Sequence, residues 1–366
     1  MFVPISLISI TKTNLHQKRA FQTLAFPLGD TQMQVNTELL KKLLKGAVSV
    51  QNEDEWLCLY RFTEKQSNYY FEKTPDTLYP KTFATAGMKL DLVTDANEIS
   101  FDFRVFAASS RTFYSVDLYI DGVFCDEMYV MNILRKKSGS VSFVLPKGTH
   151  RLTVYFPNLM CMDIANVRLA GASFAEPVPS KMKILCLGDS ITQGYDAYHS
   201  SLSYVNRISE ALDAEILDQA IGAEVFDEKI LDEELPFDPD LITIAYGTND
   251  WAILESKEQF LTGAENFFKK IKNIYPDKKI VYISPIWRGD YQRPFGTQDT
   301  AVGGFEESVK ALQMLAKENG LFVVDGIPLT PHHSDFFADQ FLHPNDLGFG
   351  FYAENLLKAL KKESLI

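Results

Sequence analysis

From about residue 48 to 174 the chain reads as strands, with runs in which apolar side chains recur at every second position. In EISFDFRVF, Ile99, Phe101, Phe103 and Val105 alternate with polar neighbours, the period of a strand with one buried face. Asp121-Gly122, within VDLYIDGVFCDEM, separates two such runs. It predicts a hairpin, because the tight turn needs positive φ. The pattern repeats around Pro146-Lys147-Gly148 in SVSFVLPKGTHRLTVYF, and IANVRLAGASF closes the set. Short strands at this spacing predict an antiparallel, jelly-roll-like β-sandwich. No period of about 20–50 residues recurs, so a repeat architecture is not expected.

The texture changes after AEPVPSK, residues 175–181, whose prolines mark a linker. Strand-like runs at 184–187, 214–217, 241–246, 280–284 and 321–325 then alternate with helical segments. In SKEQFLTGAENFFKKIKNIY, Phe260, Ala264, Phe267, Ile271 and Ile274 share one helical face. Alternating strands and helices predict a parallel sheet covered on both sides, a three-layer α/β/α domain. MQVNTELLKKLLKGA, from Met33, carries an amphipathic helix pattern ahead of the sandwich. Met1 to Gly29 contain no acidic residue in a chain that is acidic elsewhere. The expected organisation is a poorly ordered extension (1–32), a sandwich with a short leading helix (33–174), a linker (175–181) and an α/β domain (182–366).

Composition narrows the function. The 366 residues carry a formal net charge of −12, and no long basic run offers a surface for nucleic acid or an anionic membrane. No stretch is long and apolar enough to span a bilayer. The start, MFVPISLISI, is apolar but lacks a preceding basic region and a clear cleavage site. The expected location is therefore the cytoplasm. Cys58, Cys125, Cys161 and Cys186 are scattered without a CxxC spacing, which predicts reduced thiols rather than a zinc site or a disulfide framework. His332 and His333 are adjacent, and neighbouring loop residues seldom point at one ion, so no metal is expected. The sequence leaves the oligomeric state open.

The chemistry gathers after the linker. KILCLGDSITQGYDA ends an apolar run on Gly188-Asp189-Ser190. A serine between a strand and a helix start sits where developing negative charge is favoured. It is either a helix cap or a nucleophile awaiting a base. Gly222 follows the second strand-like run, where a glycine permits close backbone approach. Asn249, in YGTND, ends the third, where its amide is placed to donate to an oxyanion. His343, before Pro344 and the last helix, supplies a base.

In this order on alternating strands and helices, the four blocks Gly188-Asp189-Ser190, Gly222, Gly247-Thr248-Asn249-Asp250 and His343-Pro344 resemble the SGNH hydrolases, the GDSL-type esterase and lipase superfamily. The resemblance covers about half the chain. It implies Ser190 as nucleophile, His343 as general base, and an oxyanion hole from the N–H groups of Ser190 and Gly222 with the side chain of Asn249. It implies no cofactor. The family usually places an Asp three residues before the His, where this chain has Gln340; Asp339 lies one residue further back. Either a one-residue insertion lets Asp339 reach His343, or Gln340 or a carbonyl orients it, which would leave a Ser-His dyad.

A sandwich ahead of such a domain is similar to the second family of carbohydrate esterases, which implies removal of O-acetyl groups from sugars. Trp251 and Trp287 follow strand ends, where an indole would stack on a sugar or fill an interface. The expected function is thus a serine esterase acting on a small ester or acetylated oligosaccharide. The alternatives are a long-chain lipase, an acyltransferase, and a carbohydrate-binding protein without turnover.

Overall fold

In the computed structural model, the inward residues of the early strands meet in one shared core. The structure describes residues 32–290 and 299–366. The extension expected over 1–32 lies outside the described residues except for Gln32, which is already in a strand.

The sandwich has two antiparallel sheets. One runs Ser49–Glu53, Trp56–Tyr60, Met160–Ala170, Glu98–Ala107, Ser138–Val144, with Gln32–Gln34 beside Met160–Ala170. The other runs Ala175–Pro177, Lys89–Thr94, His150–Tyr155, Tyr114–Ile120, Val123–Val130, with Leu44–Lys45 beside Lys89–Thr94. Ile99, Phe101, Phe103 and Val105 from one sheet pack against Val116, Leu118, Leu152 and Val154 from the other. This is the interdigitation that period-two alternation demands. Asp121 and Gly122 turn the hairpin with φ of 52° and 79°.

Three local expectations need correction. Pro146-Lys147-Gly148 does not close a hairpin. Ser138–Val144 pairs with Glu98–Ala107, whereas His150–Tyr155 pairs in the opposite sheet. The turn carries the chain across the core because both strands send their apolar faces into it. The leading helix covers only Thr37–Leu43, capped by Asn36, whose side chain accepts the Leu39 N–H. Met33 is instead in the strand Gln32–Gln34, paired with Arg168–Ala170. The segment 175–181 is not all linker, since Ala175–Pro177 extends the second sheet, and the described residues from Gln32 onward belong to one compact unit.

The α/β domain has five parallel strands: β1 (Met182–Gly188), β2 (Ala214–Asp218), β3 (Leu241–Ala245), β4 (Lys279–Ile283) and β5 (Phe322–Val324). Their spatial order is β2-β1-β3-β4-β5. The helices that matter here are α1 (Ser190–Gln193), α2 (Tyr204–Leu212), α3 (Thr248–Ile253), α4 (Lys257–Ile274), α5 (Phe305–Glu318) and α6 (Asp346–Lys362). Alternate strand residues serve alternate faces. Leu185, Leu187, Ile242 and Ile244 meet α4 and α5, while Ile184, Cys186, Val281 and Ile283 meet α2 and α6. The strand order reverses between β1 and β3. Ligands of doubly wound sheets bind in the crevice outside the carboxyl ends at such a point.

Candidate active site

Ser190 starts α1 at the carboxyl end of β1, and its buried neighbour Asp189 caps that helix by accepting the Ile191 N–H at 3.0 Å. Cap and candidate nucleophile are therefore separate, adjacent residues. Burial pushes the Asp189 carboxyl up to about 6, against the opposing pull of that N–H. Ser190 Oγ lies 2.8 Å from His343 Nε2, and both side chains are largely buried.

Asp339 completes the line. Its Oδ2 is 2.8 Å from His343 Nδ1, and its Oδ1 accepts the N–H groups of Phe341, Leu342 and His343 at 3.0, 2.8 and 3.1 Å. The extra residue is absorbed locally. Gln340 takes a left-handed φ of 71°, the loop is closed by a bridge between Phe337 and Pro344, and the Ala338 N–H donates to the His343 carbonyl at 2.9 Å. Burial works against the Asp339 charge. The hydrogen bonds from His343, Leu342 and Phe341 outweigh it and hold the carboxyl down to about 2. Asp339, not Gln340, meets the imidazole.

The oxyanion side differs from expectation at one position. The Gly222 N–H is already used, donating to the side-chain oxygen of buried Gln193 at 2.8 Å. Gly222 is demanded by packing instead: a Cβ there would fall 2.5 Å from ring atoms of Tyr195. The next residue, Ala223, is exposed and held at a left-handed φ of 71°. Among the described residues its N–H has no hydrogen-bond partner. Asn249, in the first turn of α3, donates one Nδ2 hydrogen to the Glu224 carbonyl at 3.0 Å. That bond fixes the amide beside Ala223 and leaves its second hydrogen for a ligand.

The sandwich supports this loop. Arg61, fully buried, donates to the carbonyls of Ala84, Lys81, Asp218 and Ala220 at 2.6–2.9 Å, and Lys81 Nζ donates to the Gly222 carbonyl at 2.5 Å. On the histidine side, Arg111 grips Asp196 with both prongs, Nε to Oδ1 at 2.6 Å and Nη2 to Oδ2 at 2.7 Å. Arg61, Lys81 and Arg111 belong to no local motif, and nothing in the sequence signals them, because each reaches across the chain to the α/β domain, Arg61 to Asp218 and Ala220, Lys81 to Gly222 and Arg111 to Asp196. Tyr195 and Asp196 lie inside the GDS stretch itself but carry no spacing that distinguishes them.

The two tryptophans are not brought to the site's surface. Trp251 is 1% exposed, donates Nε1–H to the Gly303 carbonyl at 2.8 Å, and has Arg288 over its ring at 4.9 Å. Trp287 is 6% exposed and stacks on His332 with centroids 5.4 Å apart. Neither indole presents a free face to a sugar, so the expected substrate-stacking role is corrected to one in packing. His332 Nε2 lies 2.9 Å from the Ile327 carbonyl, and His333 Nδ1 is 3.6 Å from Asp335.

Residues 186–350 match the model of the GDSL-like lipase/acylhydrolase family. No curated protein matches the chain by sequence. Among solved structures, a salicylyl-acyltransferase from a tetracycline biosynthetic pathway is 21% identical, covering 92% of this chain and 98% of its own, with a TM-score of 0.76. A family two carbohydrate esterase from Cellvibrio japonicus is 17% identical over 91% of this chain and 98% of its own, with a TM-score of 0.60. Another, from Clostridium thermocellum and solved with cellohexaose, is 19% identical over 76% and 93%, with a TM-score of 0.59. At these identities the likeness is one of fold, and it extends over both the sandwich and the α/β domain.

Proposed function

We propose that this chain, which belongs through residues 186–350 to the GDSL-like lipase/acylhydrolase family of SGNH hydrolases, is a serine esterase that removes short acyl groups, acetyl above all, from carbohydrate hydroxyls. The observation that carries the reading is the continuous relay from Ser190 Oγ to His343 to Asp339, with both links at 2.8 Å.

His343 Nε2 takes the Ser190 proton as Oγ attacks the acyl carbonyl carbon. Asp339 holds Nδ1–H and stabilises the imidazolium that forms. The carbonyl π electrons move to oxygen, and the resulting oxyanion is met by the N–H groups of Ser190 and Ala223 and the Nδ2–H of Asn249. His343 then protonates the leaving alkoxide, and the acyl group stays on Ser190. Water, deprotonated by His343, attacks that ester and releases the carboxylic acid. No step calls for a cofactor.

The carbohydrate assignment is supported by the two-domain likeness to family two carbohydrate esterases. It has no support from Trp251 or Trp287. The test compares acetate release from acetylated oligosaccharides with cleavage of 4-nitrophenyl esters of increasing acyl length, on the wild type and Ser190→Ala. Serine-dependent acetate release that falls off with longer chains is the expected result. Preference for long chains overturns the short-acyl reading, and transfer to an added alcohol in place of hydrolysis makes the protein an acyltransferase.

A further inference from the structure

Two carboxylates face Nδ1 of His343. Asp339 Oδ2 stands at 2.8 Å and Asp196 Oδ2 at 3.6 Å. Asp196 is buried, in a left-handed turn with φ of 68° just after α1. Unlike Asp339, it accepts no hydrogen bond from the imidazole. Its partner comes from the other domain: the guanidinium of Arg111, on the sandwich loop between Glu98–Ala107 and Tyr114–Ile120, binds it through both prongs. The same guanidinium lies over the Tyr195 ring at 5.1 Å, and that ring stacks on His343 with centroids 5.7 Å apart.

The groups around the imidazole are therefore Asp189 and Ser190 from the β1–α1 junction, Tyr195 and Asp196 from the loop that follows, Asp339 from its own loop, and Arg111 from the sandwich. Among the described residues, Arg111 is the one cation in this set. A base must stay neutral until the reaction protonates it. An unbalanced second carboxylate within 4 Å favours imidazolium in the resting enzyme, and an imidazolium cannot take the Ser190 proton.

We propose that Arg111 is a positioning residue of the reaction, whose bidentate bond cancels the charge of Asp196 and leaves Asp339 alone to tune His343. The proposal rests on the reading of Ser190, His343 and Asp339 as the catalytic relay. It gives the sandwich a direct part in the chemistry, because the arginine that sets the charge balance at the histidine belongs to that domain. The fork geometry suits Arg: the planar guanidinium holds the carboxylate in one orientation, which a lysine does not.

The experiment is a pH profile of kcat/KM on 4-nitrophenyl acetate for the wild type, Arg111→Gln, Arg111→Lys, Asp196→Asn and the Arg111→Gln/Asp196→Asn double variant, with Ser190→Ala as the blank. Arg111→Gln moves the acid limb up by about one pH unit, roughly a tenfold loss on the acid side, with a smaller loss on the alkaline plateau. Arg111→Lys keeps the charge and shifts the limb less. Asp196→Asn does not raise the limb, and adding it to Arg111→Gln brings the limb back down. A uniform loss at every pH, or a limb that Asp196→Asn fails to restore, overturns the proposal and leaves Arg111 a structural tie. If Arg111→Gln does not fold, the Lys and double variants still decide the question. Activity retained in Ser190→Ala would instead overturn the relay itself.

Discussion

Asp339 Oδ2 stands 2.8 Å from His343 Nδ1 while its Oδ1 accepts three consecutive backbone N–H groups. The carboxylate is thus fixed by the loop before the histidine uses it. In Asp339→Asn, the amide oxygen can keep the backbone bonds, but an N–H then faces Nδ1 and the imidazole is driven to the wrong tautomer. A kcat loss on the order of 10³–10⁴-fold follows. Equal activity in the variant, measured at saturating 4-nitrophenyl acetate, would mean that His343 works as a member of a dyad.

In the proposed mechanism, Asn249 offers its remaining Nδ2–H to the oxyanion only in the transition state. Asn249→Ala is expected to lose about 3 kcal/mol of barrier lowering, roughly 10²-fold or more in kcat, with KM nearly constant. A change confined to KM would place Asn249 in ground-state binding.

Arg61 carries the seam between the domains. Its guanidinium satisfies four buried carbonyls and lies 3.8 Å from the Asp218 carboxylate. Arg61→Met removes the guanidinium from those buried carbonyls and takes the nearby positive charge from buried Asp218, which keeps only the Ala220 N–H among the described residues. The expected cost is about 3–5 kcal/mol, read as a lower midpoint in urea denaturation with the slope unchanged.

Stability is expected to fall as pH rises from 5 to 8. Burial pushes the Asp250 carboxyl up to about 7, the Phe226 N–H pulling the other way, and Oδ2 has no hydrogen-bond partner among the described residues. Its folded pKa lies above the unfolded value of about 3.9. Between the two the folded state binds the extra proton, so stability is gained toward acid and lost toward alkali. Asp339 acts with the opposite sign, but only as pH drops through the ordinary carboxylate range toward about 2. Melting temperatures measured across pH 5–8 should decline for the wild type and decline less for Asp250→Asn, whose oxygen can still accept the Phe226 N–H. An identical slope in the variant would move the effect to other groups.

Local physics made much of this molecule legible in one dimension. Period-two alternation identified Ile99, Phe101, Phe103 and Val105 as one buried face, and alternating strands and helices identified the parallel sheet. Strand ends then located Ser190 and Asn249, because a doubly wound sheet delivers its loops to one edge. The left-handed Gln340 and Ala223 were not legible, since any non-glycine residue is an improbable occupant of that region. The Gln193 bond that takes the Gly222 N–H, while the Ala223 N–H has no partner among the described residues, was hidden too: it is settled by which buried polar groups find each other.

What the sequence determined by itself is therefore the set of elements and the candidate site residues that sit at their ends, because both depend on neighbours within a few positions. Tertiary structure decided which carboxylate reaches His343, which backbone N–H remains to donate, that Trp251 and Trp287 are packed away, and that Arg61, Lys81 and Arg111 cross from the sandwich to the site. Those outcomes depend on burial and on hydrogen bonds between residues far apart in the chain, and a buried polar group takes whichever partner the folded arrangement brings within about 3 Å.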